Sequence, residues 1–161
     1  MICIITHVQH IKNKNHYYGY GPYIREMNIW LNHVDEVILV APLIEDELNP
    51  IYEKYNHSNL HFYQVQEFTI SSLSNIFKTL IRLPKVFFQV YKAMAQSDHI
   101  HLRCPGNIGL IGAIVQILFP NKQKTAKYAG NWDPKSKQPW SYRLQKWILS
   151  NTFLTRNMQV L

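Results

Sequence analysis

The chain has 161 residues, of which 47% are hydrophobic and 17% are charged, and its formal net charge is +7 at pH 7. This composition excludes a disordered chain, and the length predicts one domain, because it is too short for two full α/β domains. The sequence has neither an apolar run of the roughly 18 to 20 residues that a membrane-spanning helix needs nor the basic start and cleavage site of a signal peptide, so we expect a cytoplasmic protein.

Apolar runs alternate with helical patterns along the chain, beginning with a β-branched run typical of a strand buried on both faces. In chain order the patterns predict a strand at 1–8, a loop at 9–21, a helix at 22–32, a strand at 36–43, a short helix at 50–55, a strand at 60–65, a long helix from 71 or 72 to 96, a strand at 98–104, a helix at 107–119, a strand at 123–130, a helix at 139–151 and a strand at 157–161.

This alternation predicts an α/β fold with a Rossmann-like, doubly wound, mostly parallel sheet and helices on both faces. Ligands of such sheets bind beyond the carboxyl ends of the strands. We therefore expect the site in the loops at 9–21, 42–59, 105–107 and 131–138.

Two glycines lie in the first of these loops. Gly19 and Gly21 enclose Tyr20 just before a predicted helix, where backbone N–H groups favour an anion. The dinucleotide fingerprint is incomplete, because Ile24 occupies its third glycine position, and a Walker loop is absent. The segment thus predicts a looser contact with a phosphate, and the alternative is that the glycines only shape a turn.

A second candidate site lies at the end of the fourth predicted strand. Arg103 falls at the carboxyl end of that strand, and Gly106 and Asn107 open the next helix. An arginine beside a helix N-terminus can bind phosphate or carboxylate. Gly109 and Gly112 continue a spacing of three residues, which favours close packing of the helix on the sheet.

Polar groups and aromatic rings follow two other strands. Asn131, Trp132 and Asp133 combine a stacking surface with hydrogen-bonding groups, which suits a sugar, although Asp133 followed by proline is also typical of a turn. His10 lies in the predicted first loop, where it could contact substrate. His99 and His101 share one face of a strand, and we favour hydrogen-bonded core histidines over a metal pair.

The positive charge is concentrated in one part of the chain. Residues 1–68 contain four Lys or Arg against eight Asp or Glu, whereas residues 69–161 contain thirteen against two. Such a basic half favours an anionic partner. Within it, a narrow basic stripe on the long helix is formed by Lys78, Arg82, Lys85 and Lys92. The stripe suggests contact with an anionic membrane interface, and the alternative is the wet face of an ordinary core helix.

Taken together, the buried first strand, the glycine segment, "VDEVILVAP", "HIHLRCPGNIG" and "KYAGNWDP" resemble the N-terminal domain of retaining GT-B glycosyltransferases of the family 4-like group. The likeness covers residues 1–161. It implies an acceptor-binding half of an enzyme that transfers a sugar from a nucleotide diphosphate sugar, with retention, to a saccharide or lipid-linked acceptor in polysaccharide or glycoconjugate synthesis. It also implies that the second domain holds the donor and that neither a metal ion nor a cofactor is needed.

The resemblance assigns roles to residues of this chain. Gly19, Tyr20 and Gly21 would border the donor phosphates, and Arg103 would be the catalytic candidate, stabilising charge. The acceptor side would be formed by His10, Tyr17, Tyr18, Arg25, Gly106, Asn107, Asn131, Trp132 and Asp133. The chain departs from many members of the family, which have histidines where it has Arg103 and Gly130.

Other interpretations of the sequence stay open. A non-enzymatic Rossmann-like binding module is the main alternative, and a nucleotide-dependent dehydrogenase or epimerase is disfavoured by the incomplete fingerprint. Nucleic acid is not an expected partner, because the basic residues match no reading motif. The sequence ends on an apolar strand, so we expect that the natural protein continues and that residues 1–161 alone do not complete the transfer.

Overall fold

The computed structural model describes residues 1–66, 73–133 and 135–161, and between 73 and 81 it describes the backbone alone. Its strands and helices are, in chain order, β1 (Ile2–Ile5), β2 (His10–Asn13), β3 (His16–Tyr20), α1 (Gly21–Leu31), β4 (Val37–Ala41), β5 (Leu43–Ile44), β6 (Tyr52–Lys54), β7 (Leu60–Gln64), α2 (Leu73–Gln96), β8 (His99–Cys104), α3 (Asn107–Val115), a 3-10 turn (Gln116–Leu118), β9 (Gln123–Tyr128), α4 (Trp140–Ser150) and β10 (Met158–Val160).

Six parallel strands form the main sheet in the order β10-β9-β8-β1-β4-β7. All four side chains of the central strand β1 are buried, as expected of a β-branched run covered on both faces. The chain builds outward from β1 through β4 to β7, crosses back through α2, and then builds outward on the other side of β1 through β8, β9 and β10. The predicted Rossmann-like, doubly wound fold is confirmed.

Helices cover both faces of the main sheet. α1 packs over Ile2, Ile4 and Leu39 on one face, whereas α2, α3 and α4 pack on the other face. The predicted packing role of the α3 glycines is confirmed, because a Cβ atom on Gly112 would lie 2.9 Å from Leu102 Cδ2 and one on Gly109 would lie 2.7 Å from a backbone oxygen.

A second, four-stranded sheet in the order β5-β2-β3-β6 lies beside the main one, and the prediction of a loop at 9–21 is wrong. β2 and β3 pair as an antiparallel hairpin, and the three tyrosines of His16–Tyr20 suit a strand, because aromatic residues favour strands. Its two-residue turn contains Lys14, which has φ of 53°. The turn lacks the Asn-Gly or Asp-Gly pair that signals a hairpin in sequence.

The short helix predicted at 50–55 is also wrong. Residues Tyr52–Lys54 form strand β6, which pairs antiparallel with β3. The other predicted elements are present, with ends that differ by a few residues, and the predicted start of the long helix at 71 or 72 lies outside the described residues. In the part of the chain that the structure describes, every helix is too short or too polar to cross a membrane.

A lysine from the loop before β9 holds the end of α2. The Nζ atom of Lys122 donates to the carbonyl oxygens of Met94 at 2.7 Å, of Ala95 at 2.8 Å, and of Ser97. The last carbonyl groups of a helix lack partners within the helix, and the negative end of its dipole favours a cation. Lys122 therefore fixes the end of the crossover helix to the loop that enters β9.

Replacing Lys122 by methionine should lower the free energy of unfolding by about 2 kcal/mol, because three carbonyl groups lose a charged hydrogen-bond donor. Chemical denaturation of Lys122→Met and of Lys135→Met tests this, since Lys135 is an exposed lysine outside the helices and strands. Equal stability of the two variants would contradict the capping role.

Candidate functional site

An open cleft of about 510 Å³ lies at the carboxyl ends of β1, β8 and β9. The chain reverses its winding direction between β1 and β8, and doubly wound sheets bind ligands at this switch point. We call the cavity the switch-point cleft. The side chains that give it its chemistry are His7, Tyr20, Tyr23, Arg103, Lys137 and Tyr142.

Three charged residues meet at the edge of the cleft. Glu26 of α1 accepts a hydrogen bond from Arg103 Nη1 at 3.1 Å and another from Lys127 Nζ at 2.6 Å. Arg103 and Lys127 are register partners in β8 and β9, and each is the last residue but one of its strand. We call these three residues the Glu26 cluster, which combines one carboxylate with two cations and keeps one positive charge in excess.

The geometry of the Glu26 cluster holds Arg103 in place. Its guanidinium lies 5.5 Å from the centre of the Tyr23 ring, a distance at which a cation is attracted to the ring face. Glu26 takes one of the five N–H donors of the guanidinium. Arg103 can thus be held by Glu26 and contact an anionic ligand in the cleft at the same time.

The charges around Glu26 change its titration. Burial of the carboxyl favours the protonated form, but hydrogen bonding to Lys127 and the charges of Arg103 and Lys127 outweigh it and lower the pKa of Glu26 below its ordinary value of 4.5. The ionised form is therefore the form that the fold stabilises.

The loop after β8 forms the floor of the cleft. Its peptide bond between Cys104 and Pro105 is cis. Gly106 is buried, and its N–H donates to Gln145 Oε1 at 3.2 Å. A Cβ atom at this position would lie 2.7 Å from His7 Nδ1. Gly106, predicted on the acceptor side, thus lets His7 approach the loop, and Asn107 follows it as the half-buried first residue of α3.

The glycines of the opening segment are explained by contacts within the protein. A Cβ atom on Gly19 would lie 3.0 Å from Ile24 Cδ1, and one on Gly21 would lie 2.7 Å from the Ile51 carbonyl oxygen. The Gly21 N–H donates to that same oxygen at 2.8 Å, so this N–H is not offered to a phosphate. Tyr20, which lies between the two glycines, is half exposed and lines the cleft.

His10 lies in the core, and the prediction that it is part of a cleft loop is wrong. Its ring is fully buried in β2, its Nε2 atom lies 2.9 Å from the Tyr55 hydroxyl, and the two rings stack at 5.6 Å. The burial has a physical cause, because β2 is an inner strand of the small sheet and Tyr55 and Phe62 enclose the imidazole.

Three further residues predicted on the acceptor side belong to the small sheet or to its contact with α1. Tyr17 stacks on Phe62 with ring centres 4.4 Å apart. Tyr18 pairs with Lys54 across β3 and β6. Arg25 is exposed and forms an ion pair with Glu53. From this segment the cleft receives Tyr20 and Tyr23 instead.

The segment after β9 is shaped by its own hydrogen bonds. Asn131 Oδ1 accepts from the Asp133 N–H at 2.8 Å, and Asp133 Oδ1 accepts from the Lys135 N–H at 2.9 Å. Trp132 is partly exposed and lies 4.8 Å from the Tyr128 ring. These contacts favour the turn interpretation of residues 131–133, and the turn leads to Lys137, which lines the cleft.

His99 and His101 share one hydroxyl group, as the core interpretation predicts. His99 Nε2 and His101 Nδ1 each lie 2.9 Å from Thr125 Oγ1. His101 is fully buried under Trp30. Among the described residues, no group of three or more His, Cys, Asp or Glu could hold a metal ion.

The described residues of the basic stripe lie on the solvent-exposed side of α2. Arg82, Lys85 and Lys92 are exposed, whereas the side chain of Lys78 lies outside the described residues. None of these three exposed residues lines the switch-point cleft.

Sequence reasoning missed Glu26, Lys127, His7 and Lys137. Lys127 had a usable signal, because it occupies the same place at the end of its strand as Arg103 does. Glu26 had none, because it reaches the cleft from the second turn of α1, and its partner Arg103 is 77 residues away.

Comparisons of the chain with family models, with curated proteins and with solved structures gave no match.

Replacing Glu26 by glutamine should lower the free energy of unfolding by about 1 kcal/mol at pH 7, because two cations lose their shared carboxylate. A carboxyl whose pKa is lowered by folding stabilises the protein above its ordinary pKa, and this contribution disappears as the pH falls. The difference between Glu26→Gln and the parent chain should therefore shrink as the pH falls below 4.5 and vanish once the pH is below the lowered pKa of Glu26 in the folded protein.

Urea denaturation across this pH range measures the effect of Glu26→Gln. Glu53→Gln is the matched control, since Glu53 of β6 forms an ion pair with one exposed arginine, Arg25, on the helix that also carries Glu26. A difference that persists unchanged in acid would show that the effect of Glu26 is not electrostatic.

The two buried histidines should make the fold sensitive to mild acid. Burial lowers the pKa values of His10 and His101 from 6.5 to about 4. Their unfolded forms take up protons first as the pH falls from 6.5 to 4, so the free energy of unfolding should drop by about 2 kcal/mol for each between pH 7 and pH 5. His101→Gln, which can still contact Thr125, should remove about half of the drop in urea denaturation; an unchanged drop would contradict the assignment.

Proposed function

We propose that the chain is the N-terminal, acceptor-binding domain of a retaining GT-B glycosyltransferase that transfers a sugar from a nucleotide diphosphate sugar to a saccharide or lipid-linked acceptor. The observation that carries the proposal is the switch-point cleft with Arg103 at its edge. A Rossmann-like sheet with a ligand cleft at this place is what the resemblance of the sequence implies. The proposal concerns the whole transferase, in which a second domain would hold the donor.

The walls of the switch-point cleft suit a ligand that combines hydroxyl groups with negative charge. Tyr20 and Tyr142 offer flat apolar rings, and tyrosine also carries a hydroxyl group that can donate or accept a hydrogen bond. Arg103 and Lys137 supply the positive charge. A sugar ring placed next to a diphosphate has both properties.

Arg103 is the residue to which we assign the largest effect on the reaction. When the bond between the sugar and the diphosphate breaks, negative charge grows on the leaving diphosphate, and a cation already held in place lowers the energy of that charge. Glu26 holds Arg103 without removing the excess positive charge of the cluster. Arg103 thus acts on the leaving group, and Glu26 acts as a positioning residue through Arg103.

Transfer assays on the whole natural protein, with a panel of nucleotide sugars and with the anomeric configuration of the products determined by NMR, test the proposal. Arg103→Gln should lower kcat/KM by about 100-fold or more, whereas Arg156→Gln, which removes an exposed arginine that does not line the cleft, should leave it unchanged. No turnover with any donor would contradict the transferase, and inverted products would contradict its retaining mechanism.

Calorimetry with pyrophosphate, a nucleoside diphosphate and NAD separates the alternatives. Binding of pyrophosphate that Arg103→Gln weakens, without transfer by the natural protein, would favour a non-enzymatic binding module. Tight binding of NAD would favour a dehydrogenase or epimerase.

A further inference from the structure

One side of α2 is exposed and has an unusual composition. Phe88 is 65% exposed, and Phe87 and Tyr91 are about 40% exposed. Lys85 and Lys92 are three residues before and four residues after Phe88, so at 100° per residue they lie on the same side of the helix. We call these five residues the α2 outer face.

The α2 outer face is distinct from the face that packs on the main sheet. Val86, Val90, Ala93 and Met94 are buried in the core, and at 100° per residue each of them lies about 120° or more around the helix from Phe88. Phe88 is therefore additional to the core residues that hold the helix to the sheet.

The charge on this helix has one sign. The sequence of α2 contains no Asp or Glu, and Arg82 and Lys85 line a small pocket of about 120 Å³ with Gln64, Gln66 and Gln89. Cations and amide groups around such a pocket can bind a phosphate group by charge and by hydrogen bonds. The pocket lies on the flank of the helix, one turn from Phe88.

We infer that α2 docks on the surface of an anionic lipid bilayer, with Phe88 in the boundary between headgroups and acyl chains and a lipid phosphate between Arg82 and Lys85. A helix with aromatic residues beside lysines lies in the plane of such an interface, where the apolar rings enter and the ammonium groups remain among the headgroups. The excess of positive charge in residues 69–161 is complementary to the negative charge of the lipids.

Sedimentation with vesicles tests the docking without requiring any transfer activity. The chain should bind vesicles of phosphatidylcholine with phosphatidylglycerol and not vesicles of phosphatidylcholine alone. Binding should weaken from 0.1 M to 1 M salt, because the distance over which charges attract each other becomes shorter. The double variant of Lys85→Gln and Lys92→Gln should bind about 25-fold more weakly, since each lysine contributes about fivefold.

Two matched controls separate the α2 outer face from general charge and general hydrophobicity. The double variant of Lys12→Gln and Lys14→Gln removes the same charge from exposed positions on the hairpin. Ile29→Ser removes an apolar side chain that is also 65% exposed, but on α1, on the opposite face of the main sheet. Both controls should bind like the parent chain, whereas Phe88→Ser should bind about tenfold more weakly.

A fluorescent probe locates the membrane contact independently, even if one of the variants used for sedimentation folds poorly. Cys3 and Cys104 are fully buried, and burial raises the pKa values of both thiols, so a maleimide dye reacts with a cysteine introduced at an exposed position. The dye on Phe88→Cys should shift to the blue on anionic vesicles, and the dye on Ile29→Cys should not.

Three results would overturn the inference: no binding to anionic vesicles, equal losses in the lysine variant and its hairpin control, or equal dye shifts at positions 88 and 29. Self-association of the chain through α2 without vesicle binding would also overturn it, and would identify a second copy as the occupant.

Discussion

The parallel pairing of β1 with β4 on one side and β8 on the other is the contact on which the site depends. Ile5 is the register partner of Val40 in β4 and of Leu102 in β8. Because the three strands run in the same direction, their carboxyl ends meet at one edge of the sheet. Parallel strands need a long crossover, which includes α1 between β1 and β4 and α2 before β8. The cleft is the direct result of this pairing, since His7 follows β1 and Arg103 ends β8.

The second constraint is the charge at that edge. The register of β8 and β9 places Arg103 beside Lys127, and two neighbouring cations would repel each other without an acid between them. Glu26 provides that acid from a helix on one face of the sheet. One carboxylate for two cations stabilises the arrangement and still leaves a site that attracts anions, which an equal number of acids would not.

The sequence predicts the main sheet well and the small sheet poorly, for a physical reason. Buried strands such as β1 and β4 are continuous apolar runs, and such runs can be recognised in the sequence without knowing which strands they pair with. The hairpin of β2 and β3 depends on pairing partners and on a turn at Lys14 that has no glycine. The same limit applies to the site, because Arg103 is visible from its place at a strand end, whereas the acid that holds it comes from a distant helix.

The two glycines of the opening segment show how one pattern serves different contacts. Glycine permits a close approach of backbone to another group, and the sequence alone does not say which group approaches. In the structure the approaching groups are the Ile24 side chain at Gly19 and the Ile51 carbonyl at Gly21. The glycines thus join the small sheet to α1, and Tyr20 between them reaches the cleft.

Through this junction, α1 connects the two sheets to each other. Arg25 pairs with Glu53 of the small sheet, and the next residue, Glu26, pairs with Arg103 and Lys127 of the main sheet. Asn28, one turn on, donates to the Lys54 carbonyl and accepts from the Asn56 N–H. Because neighbouring residues of one helix move as a unit, a displacement of the small sheet would carry Glu26 with it and change where the cleft holds its positive charge.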